Sequence, residues 1–158
     1  MQNPTVEIEV NGFGTITVEL DAAAAPISVE NFLKLVGENY YDGLTFHRII
    51  RGFMIQGGGG DGSLTPIKGE FSANGVANPL KHDRGAISMA RTNVMDSATS
   101  QFFICDADSH FLDGNYAAFG RVTAGMEVVD KIAGTRVIDG NGTVPPADQP
   151  IIKTIRRI

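Results

Sequence analysis

The sequence TVEIEVNGFGTITVEL, residues 5–20, decides the fold class. Val6, Ile8 and Val10 alternate with polar residues in its first part, and residues 15–20 alternate in the same way. An Asn-Gly pair at residues 11–12 lies between the two runs and is typical of a tight turn. The stretch therefore predicts a β-hairpin with one apolar face.

The rest of the chain consists of short apolar runs separated by glycine-rich turns, with two segments of helical period. Apolar residues follow Pro26 at helical spacing, at Val29, Phe32, Leu33 and Val36, and do so again over residues 126–132. Further strands are predicted at 44–50, 53–56, 85–90, 101–105 and 117–122. Residues 135–150 predict a long loop and residues 151–158 a closing strand, although the isoleucine spacing there also fits a helix. We predict a mainly β fold, a closed barrel of six to eight strands capped by two helices.

The composition is that of one acidic globular domain spanning residues 1–158. Hydrophobic residues make up 42% of the chain and charged residues 20%, which is ordinary for such a domain. A net charge of −5 disfavours nucleic acid and anionic membranes as partners. The chain shows neither a secretory-signal pattern nor an apolar run of membrane-spanning length. We therefore expect a cytoplasmic protein, and nothing in the sequence requires more than a monomer.

The residues that usually carry metal, phosphate or covalent chemistry are missing from the sequence. His47, His82 and His110 lack the spacing of metal ligands, and no second cysteine accompanies Cys105, which we expect to be a buried, inert thiol. The glycine run at residues 57–62 lacks the Gly-Lys-Ser/Thr of a phosphate loop and is interpreted as a mobile surface loop. We therefore expect neither a metal nor a cofactor, and no covalent intermediate.

An arginine among large apolar residues is the most unusual chemical feature of the chain. Arg48 lies in the run FHRII, residues 46–50, where a charged group must be paired, used, or directed to solvent from an edge strand. Phe102 and Phe103 are adjacent in a predicted strand, so they point to opposite faces. Residues 111–116 add apolar surface around a turn. Core packing explains any one of these aromatics, but together they indicate a groove.

Five blocks of the sequence resemble the signature blocks of the cyclophilin family of peptidyl-prolyl isomerases, and they occur in that family's order. The blocks are Phe46–Gly58, Ser88–Ala90, Ser100–Cys105, Phe111–Gly114 and Phe119–Gly120, and the resemblance extends from Val6 to Ile158. It is greatest to the small single-domain bacterial type. The resemblance implies an eight-stranded antiparallel barrel with two capping helices. It also implies catalysis of rotation about Xaa-Pro bonds in peptides and in unfolded or flexible protein clients, which assists their folding.

The same resemblance implies the site residues. It assigns the catalytic arginine to Arg48, supported by Gln56, and leaves His47 a structural role. The proline pocket is implied at Phe53, Met54, Phe103 and Leu112. The groove for residues before the proline is implied at Ala90, the backbone of Arg91, and Gln101.

Two of the implied site positions differ from the best-known eukaryotic members. Phe111 stands where those members have tryptophan, and Tyr116 where they have histidine. Phenylalanine keeps an apolar wall but has no indole N–H to donate. Because the family's recognition of cyclosporin uses that donor, we expect cyclosporin-type inhibitors to bind weakly.

Prolyl isomerisation fits a chain that has no activated nucleophile. The barrier of about 18–20 kcal/mol arises from amide resonance, and a fixed N–H donor aimed at the prolyl nitrogen stabilises the twisted amide. Arg48 is the candidate donor. Two alternatives remain open on the sequence: a non-catalytic module that binds proline peptides on the same fold, and a barrel that binds a small apolar ligand in its lumen.

Overall fold

The computed structural model describes residues 3–60 and 62–158, and eight strands within them form one antiparallel sheet. Two α-helices and three short 3-10 helices lie between the strands. The strands are β1 (Thr5–Val10), β2 (Gly14–Leu20), β3 (Phe46–Ile50), β4 (Met54–Gly57), β5 (Ala86–Met89), β6 (Phe102–Cys105), β7 (Ala118–Ala124) and β8 (Ile152–Arg157). The helices are α1 (Pro26–Gly37) and α2 (Met126–Ala133), and the 3-10 helices are Ser72–Asn74, His110–Leu112 and Pro146–Asp148.

The predicted N-terminal hairpin is confirmed, and the structure gives its register. Val6 lies opposite Val18 and Ile8 opposite Ile16, and all four side chains are fully buried. Alternation therefore directs one face of the hairpin to the core and leaves the other to charged residues.

The last segment of the chain is a strand, and a β-bulge in its pairing with β1 accounts for the helix-like spacing of its isoleucines. β8 pairs antiparallel with β1, and the register shifts between Glu9 and Val10. Ile155 therefore lies opposite Ile8 while Ile152 lies opposite Val10, so two isoleucines three positions apart both face inward. The bulge, not a helical turn, produces this spacing.

The sheet curls on itself in the strand order β3-β4-β6-β5-β7-β2-β1-β8, and its two end strands meet over a short distance. Thr45, just before β3, forms a bridge with Ile151, and the N–H groups of Phe46 and Ile152 donate to the carbonyls of Pro150 and Leu44. Beyond this point β3 pairs with the loop after α2, through a bridge between Arg48 and Thr143. The predicted eight-stranded barrel is confirmed, and its closure is partial because a loop covers half of the edge strand.

The two helices cover the barrel as predicted, α1 packing against β8 and α2 against β2. Pro26 begins α1, but no side chain next to it caps the first turn. A distant carboxylate does so instead: the buried Glu70 accepts the N–H groups of Ile27 and Ser28 at 3.1 and 2.6 Å. The helix thereby gains its N-terminal acceptor from the loop before β5.

The barrel interior is filled by apolar side chains that come from all eight strands and both helices. Phe32 of α1 places its ring 5.7 Å from that of Phe102 and 5.3 Å from that of Phe119. A filled interior disfavours the alternative of a ligand bound in the lumen. Among the described helices, none has both the length and the apolar content needed to cross a membrane.

Candidate active site

A second apolar cluster lies on the outer face of the sheet, where β4, β5 and β6 run side by side. Its buried members are Met54, Ala86, Phe103, Cys105 and Leu112. Strand alternation explains the separation, because Phe102 points into the barrel while its neighbour Phe103 points outward, as predicted.

A pocket of about 110 Å³ opens above this cluster, and predicted site residues form its lining. The structure brings together Arg48, Phe53, Met54, Gln56, Ala90, Arg91, Phe103, Leu112 and Tyr116 around it. Gln101 lies in an adjoining pocket that shares Gln56, Ala90 and Arg91 with the first and adds Thr92, Ser97 and Thr99. Phe111 lines neither pocket. Its side chain is 71% exposed, and its ring lies 5.3 Å from the ring of Phe53 at the rim.

Arg48 is held at the mouth of the pocket by neutral acceptors. Its Nε–H donates to the carbonyl of Asn141 at 2.9 Å, and its Nη2 donates to the Oδ1 of the same residue at 3.2 Å. Its Nη1 donates to Gln56 Oε1 at 3.3 Å across the β3–β4 register. In the described part of the chain no carboxylate lies within ion-pair distance of Arg48. Arg48 does extend from an edge strand, as one of the three possibilities for this arginine required. Its side chain is nevertheless fixed in the pocket wall by these hydrogen bonds.

Asn141 was missed in the sequence, where it is one residue of a glycine-rich loop. The loop is ordered by Asp139, whose Oδ1 accepts the N–H groups of Asn141 and Thr143, both at 3.1 Å. The N–H of Ile49 in turn donates to Gly142, which ties the loop to β3. These local bonds place the Asn141 carbonyl and amide beside Arg48.

Gln56 connects the two pockets. Its Oε1 accepts from Arg48, and its Nε2 donates to Gln101 Oε1 at 3.0 Å. A polar row therefore runs from the arginine to the adjoining pocket along one edge of the apolar surface. This geometry agrees with the expectation that Gln56 holds the arginine.

Behind Phe103 lies a hydrogen-bonded chain of aspartate, histidine and serine that the sequence did not reveal. His82 Nδ1 is 2.8 Å from Asp113 Oδ1, and its Nε2 is 2.9 Å from Ser88 Oγ. The His82 ring stacks on Phe103 at 5.9 Å. The composition is that of a catalytic triad, but His82 and Ser88 are fully buried, so no substrate carbonyl can reach the serine. His82 and Ser88 are six residues apart, but Asp113 lies 31 residues from His82 and the three follow no motif spacing, so sequence inspection could not find them.

Burial decides the charge state of the groups inside this outer cluster. Desolvation lowers the pKa of His82 despite the neighbouring Asp113, so its Nδ1–H donates to the carboxylate and its Nε2 accepts from the Ser88 hydroxyl. Burial likewise raises the pKa of Cys105 to about 12, which keeps the thiol neutral and agrees with the predicted inert cysteine. Burial, with the charge of Arg48 as a second cause, lowers the pKa of His47.

The glycine run beside the groove is not simply a surface loop. Gly57 and Gly58 are buried, and Asp61 lies outside the described residues. Gly58 has a φ of +82°, and a Cβ there would meet the rings of Tyr41 and Phe102 within 3.0 Å. Close packing on the barrel aromatics therefore requires glycine at this position, so this part of the run belongs to the packed structure and not to a surface loop.

One exposed group of potential metal ligands lies away from the pocket in the part of the chain that the structure describes. Asp83, Asp108 and His110 place ligand atoms within 4.8 Å of one another. His110 Nε2 is already bonded to Asp83 at 2.7 Å, and Asp108 accepts the N–H of Arg84. The expectation that the reaction needs no metal stays a prediction.

Comparison with known proteins gives one consistent family. The model of the cyclophilin type peptidyl-prolyl cis-trans isomerases matches residues 5–157. A peptidyl-prolyl cis-trans isomerase of Acinetobacter baylyi is 49% identical over 84% of this chain and 73% of its own length. One from Streptomyces antibioticus is 42% identical over 94% of both chains.

Solved structures agree with these sequence relatives. The cyclophilin type peptidyl-prolyl cis-trans isomerase of Cryptosporidium parvum superposes with a TM-score of 0.86 at 31% identity, covering 99% of this chain and 98% of its own. A second structure of that protein was determined in the presence of the dipeptide Ala-Pro, with a TM-score of 0.83 over 96% of this chain and 97% of that one. The chain described here therefore belongs to the cyclophilin-type peptidyl-prolyl cis-trans isomerases, an enzyme family.

Proposed function

We propose that this isomerase accelerates prolyl rotation through one aimed hydrogen-bond donor, Arg48, set above an apolar pocket that holds the proline ring. The observation that carries the proposal is the way Arg48 is held. Its guanidinium is fixed by two acceptor groups of Asn141 and by Gln56, with no carboxylate partner in the described chain. Three of the five N–H groups of the guanidinium are used, so two remain for a ligand.

The chemistry that such a donor supplies matches the barrier of the reaction. In the planar amide the prolyl nitrogen shares its electron pair with the carbonyl, whereas in the twisted transition state that pair is localised on nitrogen. An N–H directed at the nitrogen therefore binds the transition state more strongly than the ground state. A guanidinium stays charged and presents its donors in a fixed plane, which suits this task better than a flexible ammonium.

The apolar wall would hold the ring while the rest of the peptide turns. Met54, Phe103 and Leu112 are buried beneath the pocket, and Phe53 lies at its side, where its ring contacts that of the exposed Phe111 at a tilt of 41°. Such a surface anchors the pyrrolidine without fixing the preceding carbonyl. Exclusion of water from this wall also strengthens the hydrogen bond from Arg48.

Residues ahead of the proline would lie along the adjoining pocket. Gln101, Ala90 and the backbone of Arg91 border that space, and the hydrogen bond between Gln56 and Gln101 joins it to the arginine. The Ala-Pro dipeptide present in the related Cryptosporidium structure supports proline-containing peptides as the substrate class. Protein clients with flexible Xaa-Pro segments follow from the same chemistry. We expect the enzyme to act as a monomer in the cytoplasm and to need no cofactor.

The proposal is tested by a protease-coupled isomerisation assay on an Ala-Pro peptide. Replacing Arg48 with alanine should lower kcat/KM by a factor on the order of 10²–10³, the scale for removing one aimed donor. Arg121→Ala is the matched control, because Arg121 is an exposed arginine of β7 that lies outside the proposed site. Circular dichroism of both variants monitors the fold. Turnover by a folded Arg48→Ala variant at the wild-type rate would overturn the assignment.

A further inference from the structure

The side chain of Arg91 forms part of a continuous stack along one wall of the proline pocket. Its Cζ lies 4.8 Å from the ring centroid of Phe71 and 4.7 Å from that of Tyr116, so the guanidinium lies between two aromatic rings. The ring of Tyr116 then meets the ring of Phe103 edge-on at 5.8 Å. Both Tyr116 and Phe103 line the pocket.

The guanidinium is fixed within this stack. Its Nε and Nη2 both donate to the carbonyl of Asn115, at 3.0 and 2.6 Å, and its Nη1 donates to the carbonyl of Thr92 at 2.9 Å. Among the described residues Arg91 has no ion-pair partner. The charge is therefore stabilised by two backbone carbonyls and two ring faces, an arrangement that requires a planar cation.

Tyr116 is held by packing of its ring against the outer cluster and not by its hydroxyl. It is only partly buried, and its hydroxyl makes no hydrogen bond to any residue of the described chain. Two of its ring contacts have a defined geometry: Arg91 lies over its face, and the ring of Phe103 is nearly perpendicular to it. A tyrosine whose polar end is unbonded takes its position from stacking.

We propose that the Arg91 side chain is a positioning residue for the isomerisation, holding Tyr116 against Phe103 so that the pocket closes around the proline ring. This rests on the proposed role of the pocket, and it is separate from the expected contact of the Arg91 backbone with substrate. A side-chain substitution leaves that backbone in place. The cation acts through Tyr116 and touches no reacting atom.

A double-mutant cycle over Arg91→Met and Tyr116→Ala tests the inference, read out as kcat and KM on an Ala-Pro peptide. In the wild-type background Arg91→Met should raise KM about three- to tenfold, the range expected from one cation–π contact, with kcat changed less than about twofold. In the Tyr116→Ala background the same substitution should change KM less than about twofold, because the ring it holds is already gone. A general structural defect would instead lower activity equally in both backgrounds.

Equal KM changes in the two backgrounds, or no change on Arg91→Met alone, would overturn the inference. Arg91→Gln, which keeps a planar hydrogen-bonding end group without the charge, gives the same cycle should Arg91→Met fail to fold. The role of Arg48 is judged separately from the loss on Arg48→Ala. An additive cycle with an inactive Arg48→Ala would therefore refute only the inference about Arg91, and an active Arg48→Ala would refute the proposed mechanism.

Discussion

Phe102 and Phe103 are neighbours on one strand, yet they belong to two regions with different physical construction. The ring of Phe102 lies among those of Phe32, Tyr41 and Phe46, at centroid distances of 5.6 to 6.0 Å, and is fully buried. The ring of Phe103 has an imidazole on one side, a tyrosine edge on another, and an open pocket above. The interior is apolar apart from the Tyr41 hydroxyl, which donates to the Ser100 carbonyl, whereas the outer cluster is apolar at its base and is bordered by hydrogen-bonded polar side chains.

This difference shows where the fold tolerates polar groups. A hydrogen-bonded histidine, serine and aspartate lie behind Phe103, and a guanidinium with two glutamines borders its pocket. These histidine, serine, aspartate, arginine and glutamine side chains each have a hydrogen-bond partner, which offsets the cost of removing them from water. We infer that the interior supplies stability and the outer region supplies geometry for the reaction, and the following experiments test that division.

The largest expected effect comes from emptying the interior. Phe102→Ala should lower the free energy of unfolding by about 3–5 kcal/mol, since it leaves a cavity among packed rings. Phe103→Ala should cost less stability, because one side of its ring already faces an open pocket, but it should raise KM for an Ala-Pro peptide. Urea denaturation and isomerisation assays on both variants measure the contrast. Equal stability losses, or a Phe103→Ala enzyme with wild-type KM, would contradict the division.

A glycine in the loop that holds Arg48 should show a smaller, mainly kinetic effect. Gly142 has a φ of +83°, and a Cβ there would collide with the carbonyl of Ile49. Gly142→Ala should therefore displace Asn141 and lower kcat/KM about tenfold, with about 1 kcal/mol of lost stability. Gly140→Ala in the same loop is the control, because a Cβ there meets nothing within 4 Å. Similar rates for the two variants would show that the loop does not orient the arginine.

The buried His82 should make the outer cluster sensitive to acid. Burial lowers the pKa of His82 below its usual value of 6.5, so the unfolded chain binds more protons than the folded chain as the pH falls below that value. The free energy of unfolding should then decrease on acidification by at most about 1.4 kcal/mol per pH unit. His82→Gln, which removes the titratable ring, should show a shallower decrease of that free energy in denaturation series at several pH values. His110→Gln, at an exposed histidine, serves as the control. If the free energy of unfolding decreased equally with pH in wild type and His82→Gln, His82 would not be the source of the acid sensitivity.

The smallest effect concerns the rim of the pocket. Phe111 is exposed beside Phe53 and has no donor, so Phe111→Trp should strengthen cyclosporin binding about three- to tenfold by adding an indole N–H. Ile158→Trp adds the same group at an exposed site near the end of the chain and should leave the affinity unchanged. Isothermal titration with each variant gives the comparison. The same affinity for Phe111→Trp and wild type would contradict the expectation that the missing donor weakens cyclosporin binding.

Most of the fold could be predicted because the patterns that specify its hairpin and helices each lie within one short stretch of sequence. Alternating apolar residues and an Asn-Gly turn predict the hairpin of residues 5–20. An apolar stripe at helical spacing predicts the helix that begins at Pro26. The end of the chain was ambiguous, because the bulge that places Ile152 and Ile155 on one face depends on the partner strand. The partial closure of the barrel depends likewise on where the loop after α2 folds back onto β3.

The candidate site was predictable from the resemblance to family signature blocks. Most of the pocket residues, Arg48 among them, lie in those blocks, Arg91 and Tyr116 lie just beyond them, and the structure gathers them all around one cavity. Asn141, His82 and the side chain of Arg91 act through contacts between distant segments, and no spacing in the sequence records such contacts. Phe111 was expected in the binding surface, and the structure places it at the rim with its ring against that of Phe53, so its contact with a ligand stays a prediction.

The central claim is that Arg48 acts as an aimed donor and not merely as a positive charge. Exchange NMR on an Ala-Pro peptide, comparing wild type with Arg48→Lys, tests this most directly. Lysine keeps the charge but cannot reproduce the fork held by Asn141 and Gln56. We expect Arg48→Lys to lose catalysis by a factor on the order of 10², nearly as much as Arg48→Ala. A lysine variant that retained close to the wild-type rate would contradict the account.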